Sequence, residues 1–336
     1  MKNCYKKTIL AIAFLGITLT GCANSPSMLG PHGTDADSVA FLSWLMFAIS
    51  GIVLIIVTIL LWMTYRRSRQ EEQDRRDLYA NDRGLLRNVV LGGGVVPIIV
   101  LLVMMGLAIW LENTKNVKAA AGTTDIEIIG HQWWWEVHYT DQDFYTANEI
   151  HIPAGQTVTL HVTTADVIHS FWVPELHGKI DLIPGQTNTF TINADQVGTY
   201  RGQCAEFCGV QHAHMAFFVI AQSADDYNAW LNTQTQPGVD PKVGSLEQQG
   251  QQAFLGSACV YCHTIRGTNA SGRVGPDLTH LGSRQTIAAG ILPNNPGNLA
   301  GWMINSQSVK PGNHMPPMDL NGDQVQALLA YLATLK

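Results

Sequence analysis

Two stretches of this 336-residue chain contain no charged side chain: Val39–Tyr65, 27 residues, and Asn88–Leu111, 24 residues. A helix rising 1.5 Å per residue needs about 20 apolar residues to cross a bilayer core, so both read as membrane-crossing helices. The bland alternative, two buried helices of a globular domain, sits poorly with runs this long and free of charge. Gly92-Gly93-Gly94 and Pro97 are tolerable in the second span where a neighbouring helix packs closely. Seven of the 20 Lys and Arg residues fall between Arg66 and Arg87, in the loop joining the spans. The positive-inside rule places that loop in the cytoplasm and everything after Glu112 on the outer face.

The N-terminus supports the same topology. Lys2, Lys6 and Lys7 precede an apolar stretch from Thr8 to Leu19, which reads as an export signal. Leu19-Thr20-Gly21-Cys22 resembles the lipobox of bacterial lipoproteins, which implies cleavage before Cys22 and lipid on its thiol. An uncleaved signal is the alternative. Residues 1–21 are then a signal peptide, 22–38 a tether and 39–112 a transmembrane hairpin. The expected location is the bacterial inner membrane, crossed more than once, with the later domains on the periplasmic face.

Beyond the hairpin the texture changes twice. Residues 113–222 contain short Val-, Ile-, Thr- and aromatic-rich runs such as Thr124–Ile129, Thr157–Thr163 and Thr187–Ile192, broken by Pro153-Ala154-Gly155 and Pro184-Gly185. Alternating strands with tight turns predict an all-β sandwich. Residues 223–243 read as a linker, helical at its start. Residues 244–336 open on a capping box, Ser245 with Gln248, and close on a helix whose apolar face is Val325, Leu328, Leu329 and Leu332. So small and loop-rich a helical domain needs an internal staple to hold a core. Formal net charge is −6, which gives no reason to propose nucleic acid as a partner. Residues 113–243 carry 14 acids against 5 bases, suited to attracting a basic protein, whereas residues 244–336 carry 4 against 5.

The densest cluster is Gly202-Gln-Cys-Ala-Glu-Phe-Cys-Gly-Val-Gln-His-Ala-His-Met215, with His169 on an earlier strand. Thiolate, imidazole and thioether together suit copper best. Two thiolates four residues apart can bridge two metals, each completed by one His and one weak ligand. Such a shell has no open position for substrate and favours electron transfer. A zinc site or a Cys204–Cys208 disulfide are the competing readings.

These residues, with Gly130-His-Gln-Trp-Trp-Trp-Glu136 and Asp166-Val-Ile-His-Ser-Phe-Trp-Val-Pro174, resemble the dinuclear copper domain of cytochrome oxidase subunit II, a cupredoxin. The resemblance runs from the first membrane helix to about Ala221. It implies that Cys204 and Cys208 bridge the coppers, that His169, His212 and Met215 are terminal ligands, and that Glu206 binds through its carbonyl. It also implies that the Glu206 carboxylate reaches a magnesium shared with subunit I, and that Trp133 is an exposed ring through which electrons arrive from cytochrome c. His214 is not needed as a ligand, and neither are His131, His138, His151, His161 and His177.

Cys259-Val-Tyr-Cys262-His263 is the attachment pattern of a c-type haem: two thiols add to the vinyls and the imidazole becomes an axial ligand. Gly275-Pro276-Asp277-Leu278 and Lys310-Pro-Gly-Asn-His-Met315-Pro extend the likeness to class I cytochromes c. That likeness implies a ring-orienting role for Pro276 and sixth-ligand status for Met315, with Met318 as competitor. His280 and His314 have no assigned role. The fold class expected is thus a membrane hairpin, an all-β cupredoxin sandwich and an all-α cytochrome c domain, carrying dinuclear copper, covalent haem c and an interface magnesium.

The resemblance implies an electron-transfer subunit of a haem-copper oxidase, an oxidoreductase whose oxygen chemistry resides in subunit I. Its partners would be subunit I, other oxidase subunits and cytochrome c or another periplasmic donor. The copper-containing subunit of a membrane nitric oxide reductase is the alternative. A copper-free quinol oxidase subunit would lack the Cys/His set, and a copper chaperone would release its metal reversibly. With its near-zero formal balance, the C-terminal domain is expected to dock on the sandwich through a mostly apolar surface.

Overall fold

The computed structural model describes residues 26–68, 82–115 and 124–336. The signal segment, the lipidation candidate Cys22 and the middle of the basic loop lie outside the described residues.

Helix α1 (Thr34–Ser68) is the first span. The second is built from α2 (Asp82–Val90), a π-helical turn (Leu91–Val95) and α3 (Val96–Lys115). Both are apolar on all sides, with mean hydropathy of 2.8 and 2.7 over their central windows, and neither buries those windows in the protein. Surfaces of this kind are stable in lipid. In the π turn the Val96 N–H donates to the Leu91 carbonyl, one residue further back than in an α-helix. The turn spans the glycine triplet just before Pro97, whose missing N–H already interrupts the ladder.

The end of the segment expected as a tether is fitted against the sandwich. Gly33 has no room for a side chain, since a Cβ there would lie 2.9 Å from the Leu176 carbonyl oxygen. Thr34 donates from both its N–H and its hydroxyl to Asn193 Oδ1, and Asp35 lies 3.4 Å from the His177 ring. The first membrane helix and the sandwich are therefore joined rigidly.

The sandwich has two five-stranded sheets. One holds β3 (Phe144–Ala147), β2 (Trp134–Tyr139), β1 (Asp125–His131), β5 (Val158–Thr164) and β8 (Asn188–Ile192), in that order. The other holds β4 (Glu149–Pro153), β10 (Ala216–Gln222), β9 (Gly198–Cys204), β6 (His169–Trp172) and β7 (Ile180–Leu182). Strict alternation along β1 and β2 buries Ile126, Ile128, Trp135, Val137 and Tyr139. At the centre, the Trp135 ring meets Phe217 at 5.0 Å and Phe171 at 6.1 Å. Gly202 makes this possible, because a Cβ there would run into the Phe217 ring.

Helix α4 (Ala224–Gln234), capped by the Ser223 hydroxyl, occupies the first half of the expected linker. Its Trp230 stacks on His151, with ring centroids 4.0 Å apart, so this half belongs to the sandwich. The second half is pinned to the C-terminal domain: Gly238 N–H donates to the Arg266 carbonyl, and the Arg266 guanidinium donates to Gln234 and Thr235 carbonyls. It is a strap rather than a flexible tether.

The C-terminal domain contains α5 (Leu246–Leu255), α6 (Cys259–Cys262), α7 (Pro296–Asn305) and α8 (Gly322–Thr334). Helices α5 and α8 cross at Gly250, where a Cβ would run into the Ala327 carbonyl. Val325, Leu328 and Leu332 are buried as the apolar spacing predicts, with Leu329 packed at the edge. The Ser245 hydroxyl accepts from Gln248 N–H as expected, but the Gln248 side chain reaches Gly244 N–H instead of closing the box.

Candidate metal centre and haem cavity

Strand β9 ends at Cys204 and β10 begins at Ala216; the loop between them carries Glu206, Cys208, His212 and Met215. A Cys204 N–H to Met215 carbonyl bond of 3.0 Å closes its base. Strand β6 starts at His169 and pairs with the end of β9, which sets the imidazole beside the loop. The Cys204 and Cys208 sulfurs are 3.8 Å apart as free thiols. Cys204 Sγ lies 3.9 Å from His169 Nδ1 and 3.2 Å from the Glu206 carbonyl oxygen. Cys208 Sγ lies 3.7 Å from His212 Nδ1 and 3.8 Å from Met215 Sδ. Each sulfur thus has its own imidazole and its own weaker neighbour.

His169 and Met215 are fully buried, and both cysteines nearly so. The hydrogen bond from Cys208 pulls the Cys204 thiol down to about 3, whereas the same pairing pushes Cys208 up. Two buried sulfurs this close, each with an imidazole beside it, form a position that a cation can occupy. His169 is aimed by Asp166: Nε2–H donates to Oδ1 at 2.8 Å, leaving Nδ1 toward the sulfurs. Burial opposes protonation of His169, but Asp166 and Cys204 outweigh it and hold its pKa above the ordinary value. Gly130 is required here, since a Cβ would lie 2.8 Å from the His169 ring. The donor set and the space fit copper.

Gln132 and Trp133 bond the loop from behind. Gln132 Nε2 and Trp133 Nε1 both donate to the Cys208 carbonyl, at 2.8 and 3.0 Å. Gly209, at φ +117°, turns the loop there, and a Cβ would crowd the indole at 3.0 Å. Trp133 is only 8% exposed, contrary to the expectation of an open ring. The C-terminal domain covers it: His314 lies 5.5 Å away, centroid to centroid, and Lys310 Nζ donates to the Trp133 carbonyl.

The covering surface opens into an apolar cavity lined by Cys259, Cys262, His263, Met315 and Met318, with Trp133 and Trp134 as its far wall. His263 Nδ1 donates to the Pro276 carbonyl at 2.8 Å, as expected, so Nε2 is free. Burial pushes the His263 pKa down, which keeps the ring neutral and able to ligate. Gly275 lies flat on that ring, where a Cβ would come within 2.7 Å of Cε1. Two free thiols, an aimed imidazole and two thioethers around an apolar space fit a covalently held haem. Of the thioethers, Met315 sits in the better anchored loop. Its carbonyl accepts from Ser306 and Gln307, and its N–H donates to Asn313. Met318 is held by one backbone bond to Ile304.

The docking surface includes buried polar and charged groups that the near-zero formal balance did not suggest. Glu149 on β4 is buried and its Oε1 accepts from Gln285 N–H, Thr286 N–H and the Thr286 hydroxyl. Burial raises its pKa, although those donors and Arg284 oppose the rise. Arg284 Nη2 donates to the Thr146 hydroxyl across the boundary. Lys310 is 3% exposed, and burial lowers its pKa to about 8. At the rim, Arg273 lies 3.3 Å from Glu136 and over the Tyr145 ring. A near-zero formal balance hides these groups because it averages charges with opposite destinations. Asp166 and Lys310 each stand within a motif quoted above, although nothing in the Lys310 motif pointed to docking; Glu149 and Arg284 had no signal beyond the scarcity of charge around them.

The profile described as cytochrome C oxidase subunit II, periplasmic domain, matches residues 143–222, and the cytochrome c profile matches residues 247–336. Cytochrome c oxidase subunit 2 of Alkalihalophilus pseudofirmus is 34% identical over 97% of this chain and 96% of its own length. The protein of that name from Bacillus sp. (strain PS3) is 33% identical over 72% of each chain. The one from Bacillus subtilis is 28% identical over 98% of each.

Proposed function

The chain belongs to the cytochrome c oxidase subunit 2 family, and from that premise we propose that it is the electron-input subunit of a haem-copper terminal oxidase. It is a membrane-anchored part of an oxidoreductase complex, held by two apolar helices and associated with other oxidase subunits. When bound, haem c and a dinuclear copper centre supply one-electron carriers that pass charge from cytochrome c, or another periplasmic donor, to subunit I. In this reading oxygen reduction belongs to subunit I, and the residues proposed here to hold copper and haem serve electron transfer.

In this reading Cys204 and Cys208 would hold the coppers, together with His169, His212, Met215 and the Glu206 carbonyl. Asp166 holds the His169 ring, and the Gln132 and Trp133 donors hold the Cys208 carbonyl. Cys259 and Cys262 would carry the haem, His263 and Met315 would ligate its iron, and the Pro276 carbonyl orients His263. The Glu206 carboxylate takes the magnesium shared with subunit I. Lipid on Cys22 adds a second anchor, and the units run 113–222, 223–243 and 244–336 after the hairpin at 39–112.

One observation carries the proposal: two sulfurs 3.8 Å apart, each with its own imidazole, sit behind the tryptophan that walls a cavity containing the haem-attachment residues. The test is metal and spectral analysis of the purified chain. Two coppers and one covalent low-spin haem per chain are expected. Cys204→Ser should abolish the copper spectrum and leave the haem; Met315→Ala should perturb the haem and leave the copper. A correctly matured chain with no copper and a Cys204–Cys208 disulfide would overturn the reading.

A further inference from the structure

We propose that Lys310 and Glu149 are positioning residues that lock the C-terminal domain in one register on the sandwich and so keep Trp133 closed to donors in solution. The inference rests on the proposed function. Lys310 Nζ donates to the Trp133 carbonyl at 2.9 Å and the Ala288 carbonyl at 3.4 Å. The same residue is tied to the haem-ligand loop: Asn313 Nδ2 donates to the Lys310 carbonyl, and Asn313 Oδ1 accepts the Met315 N–H. A short hydrogen-bonded chain therefore runs from the backbone behind the copper loop to the loop of Met315. Glu149 forms the second point, where Oε1 accepts from the Gln285 and Thr286 amides and the Thr286 hydroxyl.

Between the two points the sandwich and the C-terminal domain share backbone. Ala216 N–H, at the start of β10, donates to the Ala289 carbonyl. Ala288 and Ala289 hold φ of +56° and +58°, a left-handed conformation that alanine adopts only when its surroundings impose it. A buried charge stripped of its partners is strongly unfavourable, so sliding the domain would leave the ammonium and the carboxylate facing nothing. Apolar contacts alone tolerate such sliding. Two buried charges with fully specified partners do not, and register rather than raw affinity is what they confer.

The amides of Gln285, Thr286 and Ala216 donate across the boundary, so their hydrogen exchange in the intact, metal-loaded complex reports opening; in Glu149→Ala, which removes the acceptor of the first two, Ala216 is the reporter. Lys310→Met and Glu149→Ala should each speed that exchange at least about 10-fold, the scale set by losing one or more buried hydrogen bonds. Glu149→Gln keeps an Oε1 acceptor and should restore protection. In the same two opened variants, electron transfer from haem to copper after photoreduction should slow, and soluble reduced cytochrome c should reduce copper without first reducing the haem. Copper and haem spectra should stay unchanged. Wild-type exchange and transfer rates in both variants would overturn the proposal. So would faster exchange accompanied by an altered haem spectrum, because Lys310 would then act through Met315 ligation. A chain without copper or haem would instead sink the functional reading beneath it.

Discussion

In the sandwich, the donor atoms converge because paired strands bring them together: β6 and β9 are hydrogen-bonded neighbours, and the loop from Cys204 to Met215 is closed at its base by backbone. In the C-terminal domain the corresponding residues surround a space. Phe254, Leu299, Met303, Leu328 and Leu332 face a cavity that side chains of the domain itself do not fill. The first region arranges its ligands through a core that exists without metal; the second leaves part of its core to the cofactor. Both hold an imidazole by its second nitrogen, one on the Asp166 carboxylate and one on the Pro276 carbonyl. The comparison separates a site that a fold presents from a fold that a site completes.

The largest expected break follows from that difference. Cys259→Ser with Cys262→Ser should prevent haem attachment and remove on the order of 5 kcal/mol or more, the whole stability of a small domain. The measurement is thermal unfolding by circular dichroism with limited proteolysis, and residues 247–336 should be cut while the sandwich resists. Chelating copper should leave the sandwich melting cooperatively. A sandwich that unfolded with its copper would erase the contrast.

Acid should affect the two domains alike, which sharpens the comparison by isolating the cofactor. His151, stacked on Trp230, and His280, beside Arg266, have pKa values lowered to about 4 from 6.5, in each case by burial first. An imidazole lowered in this way leaves the folded state with fewer protons than the unfolded chain. Stability is therefore complete above pH 6.5 and drains as pH falls toward 4, by up to about 3 kcal/mol at His151. Urea unfolding across that window measures it, and His151→Gln should flatten the sandwich's dependence.

Asp166→Asn should weaken copper binding by about 10- to 100-fold and shift the copper spectrum without unfolding the sandwich, because the His169 ring loses a charged partner but keeps its place on β6. Competition with a graded chelator reads this. The smallest effect belongs to the rim: Arg273→Ala should change stability by about 1 kcal/mol or less, since the guanidinium side chain is 58% exposed. A large loss there would mean that docking depends on its edge rather than on Lys310 and Glu149.

Much of the organisation is legible in residue order because it is local. Membrane spans follow from uninterrupted apolar composition, and the copper-loop and haem-attachment residues stand within a few positions of one another. Strand alternation buries Ile126, Ile128, Trp135 and Val137 as the pattern requires. Even the strap is half legible, since a helix is expected at its start and one forms there.

What tertiary structure alone decided concerns pairs far apart in the chain. Lys310 meets Trp133 across 177 positions, and Glu149 meets Gln285 across 136. No periodicity or spacing encodes such a contact; it exists only after two independently patterned domains have packed. The amino-acid sequence by itself singled out the candidate copper and haem ligands, because ligand chemistry is a property of side chains and short loops. The packed structure decided that Trp133 faces the haem cavity instead of solvent, because burial is settled by whichever surface arrives to cover it.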